Sequence, residues 1–315
     1  MKVLIVASYN KNRFAPFVQE QADALQKAGC EIAYFGIRGK GVLGYLKQLP
    51  ELKKKIKDFK PDVVHAHYGL SGLLANLQRK VPVVTTYHGS DINNAGSRRF
   101  SKIAMALSAY NVFVSQKTLD LVKPKRNYVL LPCGVNLEDC PIVDKLEARR
   151  QMNLDVQKKY VLFAGAFDNA VKNAPLAQQA VALLPDVELL ELKGYTRQQV
   201  ALLMQAVDCF LMTSHNEGSP QVIKEAMACG CPIVSVDVGD VKERLDGLEH
   251  CWVTGERTPK ALSVLLGKAI TCDNRTAGRQ KIIDDGLDNS LVAGKLVAAY
   301  CKVMFKRNDN VEGNR

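Results

Sequence analysis

No stretch of this 315-residue chain approaches the roughly 20 continuous apolar residues that a membrane span needs. The opening run Met1–Ala7 is too short for a secretory h-region with its cleavage site, so a soluble, cytoplasmic protein is expected. Cys-x-x-Cys does not occur. The nine cysteines are an odd number spread through apolar segments, as at Cys209, Cys229 and Cys231, which argues against structural zinc and for reduced, buried thiols. Asp-x-Asp, a carboxylate pair suited to a divalent cation, is missing too, so no bound metal is implied. No nucleic-acid-binding module accompanies the net charge of +11, and nucleic acid is not expected as a partner.

What is present suits a two-domain α/β protein: the length allows about two domains, and 47% apolar content is enough for two cores. Strand-like runs at Val3–Ala7, Ile32–Phe35, Val63–His65, Val81–Thr85, Val112–Val114 and Val129–Leu131 alternate with segments of helical length and period. The plan repeats at Val161–Ala164, Val187–Leu190, Cys209–Met212 and Ile233–Val236, predicting two doubly wound, Rossmann-like units with parallel sheets covered on both faces. Pro132–Asp144 carries two prolines and a glycine with little periodicity and reads as a hinge. The predicted division is therefore residues 1–150, residues 151–288, and a last segment 289–308 whose helix, about Asn289–Phe305, has an apolar face. The polar tail Lys306–Arg315 is expected to fray. Open α/β sheets bind ligands beyond the carboxyl ends of their strands, so a site in a cleft shared by the two units is expected.

The most informative segment is Thr213-Ser214-His215-Asn216-Glu217-Gly218-Ser219-Pro220-Gln221-Val222-Ile223-Lys224-Glu225-Ala226-Met227. Ser219 suits an N-cap and Pro220 the first helical position, which predicts a helix from Gln221. Backbone N–H groups and the positive end of the helix dipole then point out of the Glu217-Gly218 turn, a seat for phosphate or for the polar edge of a sugar. Glu225 lies four residues after Gln221, on the same helical face, where its two oxygens can accept from a vicinal diol such as a ribose.

This segment resembles the Glu-x7-Glu signature of retaining glycosyltransferases of family 4, which have the GT-B fold. The resemblance extends, in the family's order, over Met1–Ala7, Asn12–Cys30, Pro61–Ala75, Thr85–Asp91, Leu131–Asn136 and Val161–Asn173. It implies transfer of a hexosyl group from a nucleoside-diphosphate sugar, UDP- or GDP-linked, to a glycan or lipid-linked glycan, with retention and without metal or other cofactor. Glu217 would bind donor-sugar hydroxyls, Glu225 the ribose, and the departing diphosphate would take the acceptor's proton. The donor site would comprise Gly165, Lys172, Gly194, Tyr195, Gly218, Ser219, Pro220, Gln221 and Glu225. His88 and Glu217 would be the catalytic pair, with His88 facing the donor sugar, and Asp91 would orient the His88 loop or the acceptor. The resemblance also implies that the last helix crosses back onto the first domain.

Read from the residues, Lys172 is the candidate cation for the diphosphate, eight residues past Val161–Ala164 on the ligand edge. Where the family has an arginine beside it, this chain has Ala166, and where many members have a glycine-rich first turn it has Ser8-Tyr9-Asn10-Lys11-Asn12, with Lys11 or Arg13 as compensating charges. His65 and His67 have the look of a metal pair on one strand face, for which a structural role is the preferred reading.

Lysines and arginines cluster in the first half, at Lys47–Lys60, Arg98–Lys102 and Lys123–Arg126. Val42–Phe59 mixes Leu43, Tyr45, Leu46, Leu49, Leu52, Ile56 and Phe59 with five lysines, predicting an interfacial helix that docks weakly on anionic bilayers at the inner face of the membrane. Three rival readings stand beside the transferase. Gly39-Lys40-Gly41-Val42-Leu43-Gly44 fits Gly-x-Gly-x-x-Gly, the mark of an NAD(P)-dependent oxidoreductase, although it follows the second strand. The others are a non-hydrolysing nucleotide-sugar epimerase and a non-catalytic sugar-nucleotide-binding protein of the same fold.

Overall fold

The computed structural model describes residues 1–10, 12–272 and 274–312, with side chains described to Phe305. The chain forms two compact units, Met1–Gly134 with Asn289–Arg315, and Val135–Asp288. The division falls after Gly134, earlier than the predicted boundary at residue 150, and a buried charge cluster explains why. On the helix Lys145–Gln151, the Arg149 guanidinium bonds Ala206 O, Val156 O and Asp208 Oδ2 at 2.9, 2.7 and 2.9 Å. Lys145 Nζ reaches the other Asp208 oxygen at 2.6 Å. Removing any partner from such a cluster would strand a buried charge, so the segment that follows the hinge is committed to the second unit.

The first unit is a six-stranded parallel sheet of β1 (Lys2–Ser8), β2 (Glu31–Ile37), β3 (Val63–His67), β4 (Val83–Tyr87), β5 (Tyr110–Phe113) and β6 (Tyr128–Leu130), in the order β2-β1-β3-β4-β5-β6. Burial on both faces accounts for the unbroken apolar run of β1: Val3 and Ile5 join one cluster while Leu4 and Val6 join another. The last helix, Asn289–Glu312, covers the first of these faces with Val292, Ala293, Leu296, Tyr300 and Val303. Burying the larger aliphatic side chains among them, Val292, Leu296 and Val303, contributes about 1.5–3 kcal/mol each. This helix runs on to Glu312, past the predicted start of a frayed tail at Lys306, and residues 313–315 lie outside the described chain.

Two readings of this unit are corrected. Strand β4 begins at Val83 because Pro82 has no N–H, and both backbone groups of Val81 are taken by the Gln78 amide at 2.9 and 2.6 Å. The predicted interfacial helix is two helices, Gly41–Leu46, none of whose residues is fully buried, and Leu49–Phe59, whose apolar stripe faces inward. Leu52 and Ile56 are core residues, with Tyr45, Leu49 and Phe59 packed beside them. The solvent side keeps the lysines and Leu43, which is 76% exposed.

The second unit is a five-stranded parallel sheet of β7 (Lys159–Phe163), β8 (Val187–Glu191), β9 (Cys209–Met212), β10 (Ile233–Val236) and β11 (Cys251–Thr254), in the order β11-β10-β9-β7-β8. Strand β11, half-buried at the sheet edge, was not predicted. Between β7 and β9 the chain reverses its direction of progress across the sheet, so the loops leaving these two strands diverge and open a crevice at their carboxyl ends.

Candidate active site

The loops after β7 and β9 are zipped to one another at that crevice. His215 N donates to Val171 O at 2.9 Å, and the Thr213 hydroxyl reaches the carbonyls of Lys172 and Asn173, each at 2.9 Å. The Asn169 side chain accepts from Val171 N and so caps the short 3-10 turn Ala170–Lys172. Gly165 has a steric reason to be glycine: a Cβ there would lie 2.9 Å from Lys172 Cγ, so the lysine stem crosses the place a side chain would fill. Lys172 Nζ is thereby brought within 2.8 Å of Glu217 Oε1, and both side chains are mostly shielded from solvent.

Beneath this pair the turn after β10 supports the Glu217-Gly218 loop. Gly239 has φ +58, and a Cβ on it would lie 2.6 Å from Gly218 O. The Ser219 hydroxyl donates to Asp240 Oδ2 at 2.8 Å. This corrects the predicted cap: Pro220 is the residue before the helix Gln221–Ala228, at ψ 118, and no side chain caps its N-terminus. Ser219 stands one residue too early to cap, and its hydroxyl goes to the buried carboxylate instead. Arg257, on the loop after β11, donates to Ser214 O at 2.8 Å and Asp237 O at 3.3 Å, which ties the ends of β9 and β10 together.

Glu225 sits one turn after Gln221 on the same helical face, with Arg197 NH1 3.4 Å from its Oε1. Burial raises the Glu225 carboxyl above the ordinary carboxylate range, opposed by the charges of Arg197 and Lys224. Gly194 and Tyr195 lie in the loop after β8 that leads into Arg197, whose side chain reaches Glu225. Gly194 needs its positive φ of +82, with open space where a Cβ would be, and Tyr195 is 39% exposed. Ala166 brings no charge to the loop that carries Lys172, and the backbone N–H of Phe167 after it goes to Glu191. Spacing gave no sign of three charged residues here: Lys224, fully buried, Asp240 and Arg197. Lys224, next to Glu225 in sequence, faces inward, where its charge opposes the burial-driven rise of the Asp240 carboxyl.

The first unit gathers its candidates at the ends of β3 and β4. His88 follows β4 directly, and Gly89 turns the chain at φ +103. Asp91 orients that loop: Oδ1 accepts from the backbone N–H groups of His88 and Gly89 at 3.0 and 3.1 Å, and Oδ2 from Gly69 N at 2.9 Å. Burial pushes its carboxyl up to about 6, against the opposing pull of these hydrogen bonds. His65 and His67 are wholly buried, with ring centroids 4.5 Å apart. His65 bonds the Tyr300 hydroxyl at 2.6 Å and Thr86 Oγ1 at 2.7 Å, and burial lowers it to about 3. His67 Nδ1 lies 3.0 Å from His88 Nε2. Among the described residues no group of three or more His, Cys, Asp or Glu is placed to hold a metal.

The first turn of this unit is latched rather than open. The Asn10 amide bonds Gly39 N and O at 2.8 and 2.9 Å, while Lys11 lies outside the described residues and Arg13 is exposed. The glycine run Gly39–Gly44 follows the edge strand β2, away from the reversal between β1 and β3, and Gly39 and Gly44 pack on one another. That packing accounts for those glycines without a dinucleotide.

Against known proteins, the Glycosyltransferase Family 4 profile matches residues 27–139, and the profile of Glycosyl transferases group 1 matches residues 143–271. The putative teichuronic acid biosynthesis glycosyltransferase TuaC of Bacillus subtilis is 24% identical over 73% of this chain and 66% of its own. The D-inositol 3-phosphate glycosyltransferase of Mycolicibacterium gilvum is 28% identical over 70% of this chain and 61% of its own, so the match spans a little under two thirds of these relatives. Sucrose-phosphate synthase from Thermosynechococcus elongatus has a similar structure, with TM-score 0.84 at 18% identity over 97% of this chain and all of that one.

Proposed function

Because the chain belongs to the family 4 glycosyltransferases and has their GT-B fold, we propose that it moves a hexosyl group from a UDP- or GDP-sugar to a glycan or lipid-linked glycan, with retention and without metal. The observation that carries this reading is the Lys172–Glu217 pair at the crevice between β7 and β9, with Glu225 one turn into the helix that follows. A leaving diphosphate needs its growing charge neutralised, and a fixed ammonium beside uncapped helix N–H groups supplies that. Glu217 accepts from sugar hydroxyls, and Glu225, held by Arg197, accepts from the ribose diol. A glycosidase-like carboxylate pair is a poorer fit, since a diphosphate leaves without being protonated by an acid. His88, its backbone fixed by Asp91, serves the reacting centre. In support, the Anabaena protein HepE, of similar fold at TM-score 0.72, has been solved with UDP and glucose bound.

The acceptor side is the first unit, whose exposed lysines Lys53, Lys54 and Lys57 favour an anionic lipid surface. With Leu52 and Ile56 turned into the core, the attraction is chiefly electrostatic. Among the described residues no helix is long and apolar enough to cross a membrane.

The test is thermal stabilisation by UDP, GDP, ADP, CMP and NAD, since ligand at a hundredfold its dissociation constant adds about 2.7 kcal/mol. A shift with one nucleoside diphosphate, lost in Glu225→Ala and Lys172→Ala, supports the donor site and names the base. A shift with NAD alone sinks it. Release of the diphosphate from the matching sugar nucleotide, with an acceptor present, separates a transferase from a protein that only binds, and from an epimerase that changes the sugar.

A further inference from the structure

We infer that His67 is a positioning residue for His88: its Nδ1–H donates to His88 Nε2 and holds that imidazole in the Nδ1–H tautomer. The inference rests on the reading that His88 serves the transfer, and it adds how His88 is set for that work.

The two nitrogens are 3.0 Å apart, and the ring planes are nearly parallel, at 21°. A neutral imidazole has a single N–H to place, and burial, with the imidazoles of His65 and His88 beside it, keeps His67 neutral. His67 Nε2 is buried with no hydrogen-bond partner in the structure. A proton on Nε2 would be an orphaned buried donor. A proton on Nδ1 is used by His88 and leaves only a lone pair bare, the lesser penalty. His67 is therefore the donor and His88 Nε2 the acceptor.

The neighbours leave the pair little room to rearrange. His65 packs against the far side of His67 and is pinned at both nitrogens, by the Tyr300 and Thr86 hydroxyls. The rings of Phe17 and Tyr68 each lie 4.6 Å from that of His88. With Nε2 engaged as an acceptor, neutral His88 carries its proton on Nδ1, the edge 4.0 Å from Cys133 Sγ. His88 is thus set to donate a hydrogen bond from Nδ1, and Nε2 is withdrawn from service as a base. That suits a reaction whose leaving diphosphate can itself take the acceptor's proton.

The experiment is long-range proton–nitrogen NMR of the full chain labelled at its five histidines, in which protonated and bare ring nitrogens are resolved. His67 and His88 should each show a protonated Nδ1 and a bare Nε2. In His67→Asn, whose amide places an N–H near the Nδ1 position, His88 should keep this signature and most of its turnover. In His67→Leu, His88 should become a mixture of tautomers, with kcat lowered by about tenfold, the worth of one hydrogen bond, and the donor KM little changed. A protonated His88 Nε2 in the parent protein overturns the inference, as does an unaltered His88 signature in His67→Leu. If that variant does not fold, the signature of the parent protein decides alone. The role of His88 itself fails separately, should His88→Ala turn over like the parent protein.

Discussion

Lys172 Nζ and Glu217 Oε1 meet at 2.8 Å across the point where the second sheet reverses direction, each carried by the loop of a different strand. The ammonium proposed to hold a diphosphate is thus already paired with the carboxylate proposed to hold the sugar. Ligand binding must share or displace that contact, and the two halves of the pair should respond to mutation with opposite signs.

Glu217→Gln removes the competitor for Lys172, so affinity for the bare nucleoside diphosphate should rise, on the order of fivefold for a pair this shielded. Transfer should fall in the same variant, because the sugar loses an anionic acceptor. Lys172→Ala should weaken diphosphate binding and transfer together. Calorimetric titration with the diphosphate checks the signs, and weaker binding in Glu217→Gln would refute the competition.

Two glycines near this pair should behave differently. At Gly165 an added methyl meets only the flexible stem of Lys172, so Gly165→Ala should cost less than about 1 kcal/mol of stability while displacing the ammonium and weakening diphosphate binding. At Gly239 the methyl meets the Gly218 carbonyl at a positive φ, and Gly239→Ala should cost about 1–3 kcal/mol or more. Melting curves paired with titrations distinguish the two, and equal stability losses would contradict the packing described.

Asp91 predicts a pH dependence with a definite sign. Its folded carboxyl is pushed up to about 6 from the ordinary 3.8, so between these values the folded state holds a proton that the unfolded state has released. The stabilisation is complete below about 3.8 and is lost as pH rises through about 6, with roughly 3 kcal/mol as the upper scale. Unfolding free energies from pH 4 to 7, compared between the parent and Asp91→Asn, should differ by this slope, the parent losing more stability as pH rises, and identical pH profiles would refute it.

Liposome sedimentation probes the lysine face. Binding should be weak, require anionic lipid, fall with salt, and be lost when Lys53, Lys54 and Lys57 are changed to glutamate. Leu43→Ser should have a smaller effect, because Leu43 is the one large apolar side chain of that segment that is strongly exposed. Equal sedimentation with neutral and anionic vesicles would exclude the contact.

The doubly wound plan was legible because both sheets are buried on both faces, which leaves continuous apolar runs such as Cys209–Met212 and Ile233–Val236, read to the residue. Strand β11 escaped notice because an edge strand is half-buried and lacks that run. The start of β4 was misplaced because the Gln78 side chain satisfies Val81, a contact no periodicity reveals. At the candidate site the order of residues pointed to Glu217, Glu225 and Lys172, while their partners stayed hidden. Arg197 reaches Glu225 from another helix, and Asp240 takes the Ser219 hydroxyl across separate loops, so neither relation has a spacing in the chain.

The first unit takes its final layer from the end of the chain, through Val292, Leu296 and Tyr300. The second unit is one unbroken stretch, from Val135 to Asp288, inserted into it. The second unit is therefore complete in sequence before the first, whose sheet, begun at Lys2, lacks the cover over Val3 and Ile5, and whose His65 lacks the Tyr300 hydroxyl, without residues 292–303.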